Sequence, residues 1–236
     1  MLRIFNKRKS KEELLDELGP IYHSYHLFGV NNKAIPKFFR NQKCKEPIIL
    51  SYILNALAKT RDEKPGQNVS FAELFCADGY YALAAAHFGA TKSIGIDNNR
   101  GKHFERAEQI REILGISNCE FIEMDVNNID TLSPIDIVAN IGGLYHVENP
   151  EHILDKSYAL ASKYLIVQNV VSLATDSVDY FESPAPGWTW GSRYSKQSFT
   201  NLIKRKGWNI VDSHFNHLEG NKALASKGSL YFLIKK

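Results

Sequence analysis

Three acidic residues lie at intervals that suit the recognition of a nucleoside. Glu73, Asp97 and Asp125 each lie at or just after the end of a short apolar segment. Asp97 comes 24 positions after Glu73, close to the roughly 20-residue spacing at which an acid contacts a nucleotide's ribose. A carboxylate has two oxygens, which can accept hydrogen bonds from both ribose hydroxyls. We therefore predict that Asp97 binds ribose, with a solvated acid at a strand end as the alternative.

A short turn follows Glu73 and leads into an alanine-rich helix. Its residues include Phe75, Ala77, Asp78 and Gly79, so one glycine remains where nucleotide-binding turns often have several. In doubly wound sheets such a turn brings the backbone close to a ligand at the carboxyl ends of the strands. A dinucleotide requires more glycines around its pyrophosphate, which disfavours that ligand. The alternative is an ordinary strand-to-helix turn.

Strands and helices alternate through the middle of the chain, which indicates a parallel sheet with helices on both faces. The expected fold is α/β: a Rossmann-like, doubly wound, mostly parallel seven-stranded sheet that closes with an antiparallel C-terminal strand pair. The apolar patterns predict strands at 69–75, 93–96, 120–122, 135–139, 164–171, 208–213 and 230–234, and helices at 80–88, 102–114, 196–206 and from Pro150.

The N-terminal part of the chain has a different pattern. Apolar residues recur at helical spacing between residues 11 and 58, without intervening strands. The segment 59–68 is charged and contains Pro65 and Gly66, which is typical of a surface connection. We therefore predict an N-terminal helical attachment over residues 1–68 and a Rossmann-like domain over residues 69–236.

The segment that begins at Glu73 resembles motif I of the class I S-adenosylmethionine-dependent methyltransferases. In that motif an acid precedes a turn with three glycine positions, of which Phe75 and Ala77 occupy two and Gly79 the third. The helix and two strands at the end of the chain are also the usual ending of that class. The resemblance implies that S-adenosyl-L-methionine is the cofactor and that Glu73 or Asp78 contacts the amine of its methionine moiety.

The same resemblance implies roles for residues further along the chain. Asp97 would bind the ribose, Asp125 the adenine amino group, and the backbone amide of Val126 the adenine ring. A turn-initiating Asp is the alternative for Asp125. Asn140 follows the fourth strand, where these folds bring cofactor and acceptor together. The domain over residues 69–236 would thus be a methyltransferase domain.

Leu144-Tyr145-His146 precedes an Asn-Pro helix start and resembles the pattern of a narrower group. This group contains enzymes that modify the wobble uridine of tRNA with a carboxylated form of the cofactor, and relatives with varied substrates. Segments 26–30 and 194–212 also resemble parts of these proteins. Tyr145 falls on a tyrosine of the site for the extra carboxylate, but the full basic pocket has no evident counterpart. We therefore predict ordinary S-adenosylmethionine.

Tyr145 and His146 are the candidate catalytic residues. Methyl transfer is an in-line displacement at a sulfonium, so an enzyme mainly positions the acceptor and excludes water. A hydroxyl acceptor also needs a base, for which His146 is the candidate, while Tyr145 orients the acceptor. The alternative is that both side chains pack beneath the loop or fix its backbone.

A loop at residues 183–194 is rich in proline, glycine and aromatic residues. Its Trp188, Trp190 and Arg193 suit a lid over the acceptor, in which the arginine faces an anionic or hydroxylated substrate. These three residues are therefore the candidate substrate-binding residues. An aromatic plug over the end of the sheet is the alternative.

Charge and composition limit the partners. Basic and acidic residues number 29 and 26, and the net charge of +3 does not by itself indicate nucleic acid or membrane binding. We favour a small hydroxylated or sugar-like acceptor. One alternative partner is tRNA, for which the basic run at 7–11, Lys196 and residues 204–206 offer the nearest basic surface. A catalytically silent cofactor-binding scaffold is the third possibility.

The sequence also bears on location and metal content. No signal-peptide pattern follows the basic N-terminal residues and no apolar segment reaches membrane-spanning length, so we expect a cytoplasmic protein with no membrane partner. The separate Cys44, Cys76 and Cys119 suit a reducing compartment. The pairs His23/His26 and His214/His217 have an i, i+3 spacing but no nearby thiols or carboxylate set, and we predict no metal.

Overall fold

The computed structural model describes residues 9–236. Lys7 and Arg8 of the basic run therefore lie outside the described residues. Within residues 9–236, no helix is long and apolar enough to cross a membrane.

Two helices form the N-terminal attachment. The first, α1 (Lys11–Glu17), begins at a capping box in which Ser10 and Glu13 bond each other's backbone amides. The second, α2 (Pro36–Glu63), is 28 residues long and begins with proline, which suits the first helical position because it lacks an N–H group. A turn-rich segment joins the two helices and lies over the sheet edge that is described below.

A nine-stranded sheet occupies the centre of the molecule. The strands are β1 (Ser70–Leu74), β2 (Lys92–Asp97), β3 (Cys119–Glu123), β4 (Ile135–Ile141), β5 (Ala161–Ser172), β6 (Phe181–Glu182), β7 (Arg193–Ser195), β8 (Asn209–His217) and β9 (Gly228–Lys235). The parallel order is β3-β2-β1-β4-β5, and β9 lies antiparallel between β5 and β8. The predicted seven strands and the antiparallel C-terminal pair are therefore confirmed. The order reverses between β1 and β4, where ligands bind in doubly wound sheets.

The short strands β6 and β7 lie in and beside the loop at 183–194, and the sequence pattern does not predict them. β7 pairs in parallel with the end of β5, through Tyr194 and Val171, and β6 pairs antiparallel with β7. Because β4 ends before this point, β7 extends the sheet above the end of β4. The loop is thereby attached to the carboxyl edge of the sheet.

Helices cover both faces of the sheet, as predicted. The remaining four are α3 (Tyr80–His87), α4 (Ala107–Leu114), α5 (Pro150–Leu160) and α6 (Lys196–Arg205). Consecutive strand residues point to opposite faces, so Phe71 packs in the core with α2 and α3 while Ala72 packs in the core with α5 and α6. The side chains of Asn149 and Ser195 cap α5 and α6, where each accepts a hydrogen bond from a backbone N–H group of the first turn.

Two helix boundaries differ from the prediction. α2 continues to Glu63, through half of the expected surface connection, because Thr60 is buried and Glu63 pairs with Lys163 and Lys235. α4 starts at Ala107 instead of residue 102, where Lys102 has a φ of 58° and cannot continue a helix. The attachment and the sheet share one core, and the predicted boundary at residue 68 stays a prediction.

Candidate active site

The turn between β1 and α3 has the backbone conformation that glycines usually provide. Phe75 and Ala77 have φ angles of 61° and 50°, and Gly79 has a φ of 81°. A positive φ costs a residue with a Cβ about 1–2 kcal/mol, and such strain concentrates at functional sites. The turn therefore keeps its shape although other residues occupy two of its glycine positions.

Asp97 fixes this turn from the end of β2. One of its carboxylate oxygens accepts a hydrogen bond from the backbone N–H of Ala77 (3.0 Å), and the other accepts one from Asn99 (2.7 Å). Burial raises the pKa of Asp97, and these two bonds act in the opposite direction. Each oxygen retains a second lone pair. The structure brings Asp97 and Ala77 together, and the ribose contact stays a prediction.

Glu73 supports the start of α3. Its side chain is buried and its carboxyl group accepts a hydrogen bond from the backbone N–H of Ala82 (2.7 Å). Gly79, which precedes the helix, has no side chain that could cap it. Burial raises the pKa of Glu73 well above its usual value. The side chain thus has a structural partner, and its contact with the cofactor's amine stays a prediction.

Asp78 is covered by the segment that joins α1 and α2. The backbone N–H of His23 donates to its carboxylate (2.9 Å), and the His23 ring pairs with the same carboxylate. The Tyr25 hydroxyl donates to the Asp78 backbone carbonyl (2.9 Å). No sequence pattern connects His23 with this turn, although His23 closely precedes segment 26–30, which resembles part of the wobble-uridine enzymes.

The predicted adenine-binding residues lie beside β3. Asp125 accepts hydrogen bonds from the backbone and side chain of Asn127 (2.9 and 2.7 Å), which hold the pKa of its carboxyl group below its usual value. Both bonds use one oxygen, and the second is 3.4 Å from the Asn98 amide. Val126 is buried. Asn98 follows Asp97, so these two predicted contact regions are adjacent.

Asn140 lies within β4, not after it as predicted, because this strand continues to Ile141, and its side chain contacts α5. Its side-chain amide donates to the hydroxyl of Ser157 (2.9 Å), which lies on α5. Its Oδ1 atom is buried without a hydrogen-bond partner in residues 9–236. A contact between Asn140 and the cofactor stays a prediction.

Phe75 joins the turn after β1 to the loop after β4. A Cβ built on Gly143 would lie 1.9 Å from the Phe75 ring, so the ring rests directly on this glycine. The two loops flank the point where the strand order reverses. This contact therefore sets the distance between them.

His146 lies in an aromatic stack. Its ring is inclined at 21° and 19° to those of Trp188 and Trp190, with centroid distances of 5.5 and 5.0 Å. Burial lowers the pKa of His146 to about 3, with further lowering by Arg193, Lys45 and Arg100. The ring is therefore neutral at physiological pH, and its Nδ1 atom has no partner among the described residues.

The loop at 183–194 is fixed to the Tyr145 backbone. The N–H of Ser192 donates to the Tyr145 carbonyl (3.2 Å), and a Cβ on Gly191 would lie 2.4 Å from that oxygen. The Arg193 guanidinium lies over the rings of Tyr145 and Trp188, at 5.3 and 5.7 Å. The predicted catalytic and substrate-binding residues are thus brought together in one cluster.

Two further buried polar residues lie beside this cluster. Lys45 on α2 is 3% exposed and Gln168 on β5 is 0% exposed. A Cβ on Gly142 would lie 3.7 Å from Gln168 Oε1 and 3.9 Å from Lys45 Nζ, so both side chains converge above this glycine. We refer to Lys45, Gln168 and Arg193 as the cation cluster. The polar pair Gln168-Asn169 inside an apolar strand was a sequence signal for it; Lys45 gave none.

Comparison with known families identifies the chain. Residues 65–207, more than half of the sequence, match the family model described as a methyltransferase domain. The chain therefore belongs to the methyltransferase-domain family. With this sheet order and the turn after β1, it is a class I S-adenosylmethionine-dependent methyltransferase.

One relative is the tRNA U34 carboxymethyltransferase of Aliivibrio salmonicida (strain LFI1238). The two sequences are 28% identical over 110 residues, which is 45% of this chain and 34% of that enzyme. The chain therefore matches about a third of that relative's length. This likeness agrees with the narrower resemblance that the Tyr145-His146 region indicates.

Solved structures share the fold. The N-terminal domain of EvdMO1 with SAH bound has a TM-score of 0.62 and 20% identity, over 97% of this chain and 99% of that one. The same domain has been solved in the presence of SAH and D-fucose, with a TM-score of 0.60, 19% identity, and 97% and 99% coverage. Magnesium protoporphyrin IX methyltransferase from Synechocystis PCC 6803 with bound SAH has a TM-score of 0.61 and 13% identity, over 90% and 92%.

Proposed function

We propose that this enzyme transfers the methyl group of S-adenosylmethionine to a hydroxyl group of a small, sugar-like acceptor. The observation that carries the proposal is the left-handed turn after β1, tied to Asp97 at the reversal of the strand order. We assign ribose binding to Asp97, adenine binding to Asp125 and Val126, and support of the turn to Glu73.

The cofactor supplies an electrophilic methyl group on a sulfonium. The protein then has to hold the acceptor oxygen in line and keep water away. The loop at 183–194 lies over the carboxyl edge of the sheet, so its tryptophans suit the exclusion of water. The position of Tyr145 beneath Arg193 supports its role in orienting the acceptor.

The environments of Tyr145 and His146 support different roles. Burial raises the pKa of Tyr145 to about 12, so its hydroxyl stays protonated and can donate a hydrogen bond to an acceptor oxygen. With a pKa of about 3, His146 is a weak base, which supports its alternative role of packing beneath the loop, against the two tryptophans.

The relative from Aliivibrio salmonicida favours tRNA as a second candidate acceptor. Three of the basic residues that could contact RNA follow one another at the end of α6. Lys206, however, already pairs with Glu151 and Asp155 (2.6 and 2.8 Å), which reduces the charge available to a phosphate. A small acceptor therefore remains our first choice.

Calorimetry tests the cofactor assignment. Asp97→Ala should weaken the binding of S-adenosylhomocysteine (SAH) by about 1.5–3 kcal/mol, the range for charge-assisted hydrogen bonds. Asp62→Asn, a change at an exposed acid on α2, is the matched control and should leave the affinity unchanged. A thermal melt of each variant separates lost binding from lost folding. Unchanged affinity in a folded Asp97→Ala protein would remove Asp97 from the site.

The acceptor is tested by turnover. Formation of SAH from S-adenosylmethionine should depend on a hydroxylated small molecule, and the first panel should contain neutral sugars such as D-fucose, sugar acids and sugar phosphates. Bulk tRNA is assayed beside it, with filter binding over a salt series. Turnover with tRNA alone and a steep salt dependence would replace the small acceptor by tRNA. Cofactor binding without any turnover would indicate a silent scaffold.

A further inference from the structure

The cation cluster contains two buried positive charges, and no carboxylate of residues 9–236 pairs with either of them. Lys45 is 3% exposed and Arg193 is 2% exposed. Within residues 9–236, neither side chain forms a salt bridge, and the Arg193 Nε atom has no hydrogen-bond partner. The Arg193 Nη1 atom makes one long hydrogen bond (3.5 Å), to the Val170 carbonyl. Buried charges in folded proteins are normally paired, so this pair of unpaired cations indicates a function.

Both cations lie on the same face of the sheet edge. Gln168 pairs with Ile141 and Tyr231, whose side chains pack in the core with α2, so Gln168 faces Lys45. Arg193 precedes Tyr194, which is opposite Val171, and therefore lies level with Val170. Gln168 and Val170 point to this same face and are about 7 Å apart along β5.

The Gln168 side chain adds a hydrogen-bond acceptor beside Lys45, on the face of the sheet that Arg193 shares. Its Nε2 atom donates to the Ser229 hydroxyl (2.8 Å), which fixes the amide so that Oε1 is directed toward Gly142. Oε1 is buried and has no partner among the described residues. A hydroxyl group is the donor that such an oxygen suits, while the flanking cations suit an anion.

We propose that the acceptor of this methyltransferase is a hydroxylated anion, whose carboxylate or phosphate group binds between Lys45 and Arg193 and whose hydroxyl donates to Gln168. The proposal rests on the proposed function, because it places the acceptor beside the loop after β4. Sugar acids and sugar phosphates have this combination of groups. A neutral sugar would leave both cations unpaired.

Titration calorimetry with SAH-saturated protein tests this proposal. The probes are D-glucuronate, D-glucose 6-phosphate and, as the matched neutral sugar, D-glucose. We expect saturable binding of at least one anionic probe and at least tenfold weaker binding of D-glucose. Lys45→Met and Arg193→Gln should each weaken the anionic probe at least tenfold. Lys43→Met, a change at an exposed residue of the same helix, should not.

SAH affinity is measured for every variant, so that the two proposals fail separately. If the wild-type protein does not bind SAH, the proposed function fails. If SAH binds normally but no anionic probe binds, or D-glucose binds equally well, the anionic acceptor is wrong. If Lys45→Met weakens only the binding of carboxylated S-adenosylmethionine, the cluster binds the cofactor, and the proposal is also overturned. Stronger binding of glucuronate than of the phosphate identifies the anion as a carboxylate.

Discussion

The turn after β1 and the cation cluster lie on the same sheet edge but satisfy their polar groups differently. In the turn, Glu73, Asp78 and Asp97 each accept a hydrogen bond from a backbone N–H group. In the cluster, Lys45 and Arg193 have no acid partner among residues 9–236. The turn is thus complete within the chain itself. The cluster needs a ligand to balance its charges, and this difference distinguishes a preorganised site from one completed by its substrate.

The largest expected effect comes from removing a charge of the cluster. Burial lowers the pKa of Lys45 from 10.5 to about 8, which corresponds to about 3 kcal/mol of destabilisation at pH 7. Lys45→Met keeps the length of the side chain and removes the charge. We therefore expect it to raise the free energy of unfolding by about 3 kcal/mol at pH 7, as measured by urea denaturation.

The pH dependence of that gain provides its control. Below pH 8 the folded and unfolded wild-type chains both carry the proton on Lys45, so the full penalty is present. Between pH 8 and 10.5 the unfolded chain binds more protons, and the wild type gains stability as the pH rises. The advantage of Lys45→Met should therefore disappear over this interval. A loss of stability in this variant at pH 7 would contradict the comparison between the two regions.

A smaller effect is expected at the contact between the loops. Gly143→Ala places a Cβ against the Phe75 ring, and overpacking of this kind costs about 1–3 kcal/mol. We expect lower stability and weaker SAH binding. Phe75→Gly removes the ring and the strain of a positive φ, so the double variant should recover part of the loss. A purely additive double-mutant cycle would show that the two residues do not interact.

The smallest effect concerns His146, which we expect to stay neutral between pH 5 and 8. A protonated imidazole quenches a tryptophan that it contacts, so the fluorescence of Trp188 and Trp190 reports the charge of His146. The third tryptophan, Trp208, stacks on Tyr158 at a separate site, and the substitution Trp208→Phe removes its fluorescence. With a pKa of about 3 for His146, the fluorescence should stay flat. An inflection near pH 6.5 would show that the ring is solvated and that the cluster is more open than described.

The two regions also differ in how much of them the sequence predicts. The position of Asp97 at the end of β2 was predictable, because the apolar segment before it ends at this acid and parallel strands end at one edge of the sheet. The left-handed φ of Phe75 and Ala77 was not, because these residue types rarely adopt it. Lys45 was missed because a lysine on a helix is usually exposed, and only the packing of α2 against the sheet buries it. The roles of the individual site residues remain predictions.

The left-handed turn has a consequence for the detection of related proteins. A search pattern that requires glycine at three fixed positions passes over this chain, because the letters at two of them are Phe and Ala. A pattern that specifies the backbone torsion angles of the turn, and a hydrogen bond from the Ala77 N–H group to the Asp97 carboxylate, includes this chain. Genome surveys that relax the glycines and keep the acid 24 positions downstream of Glu73 should therefore recover members that letter-based patterns omit.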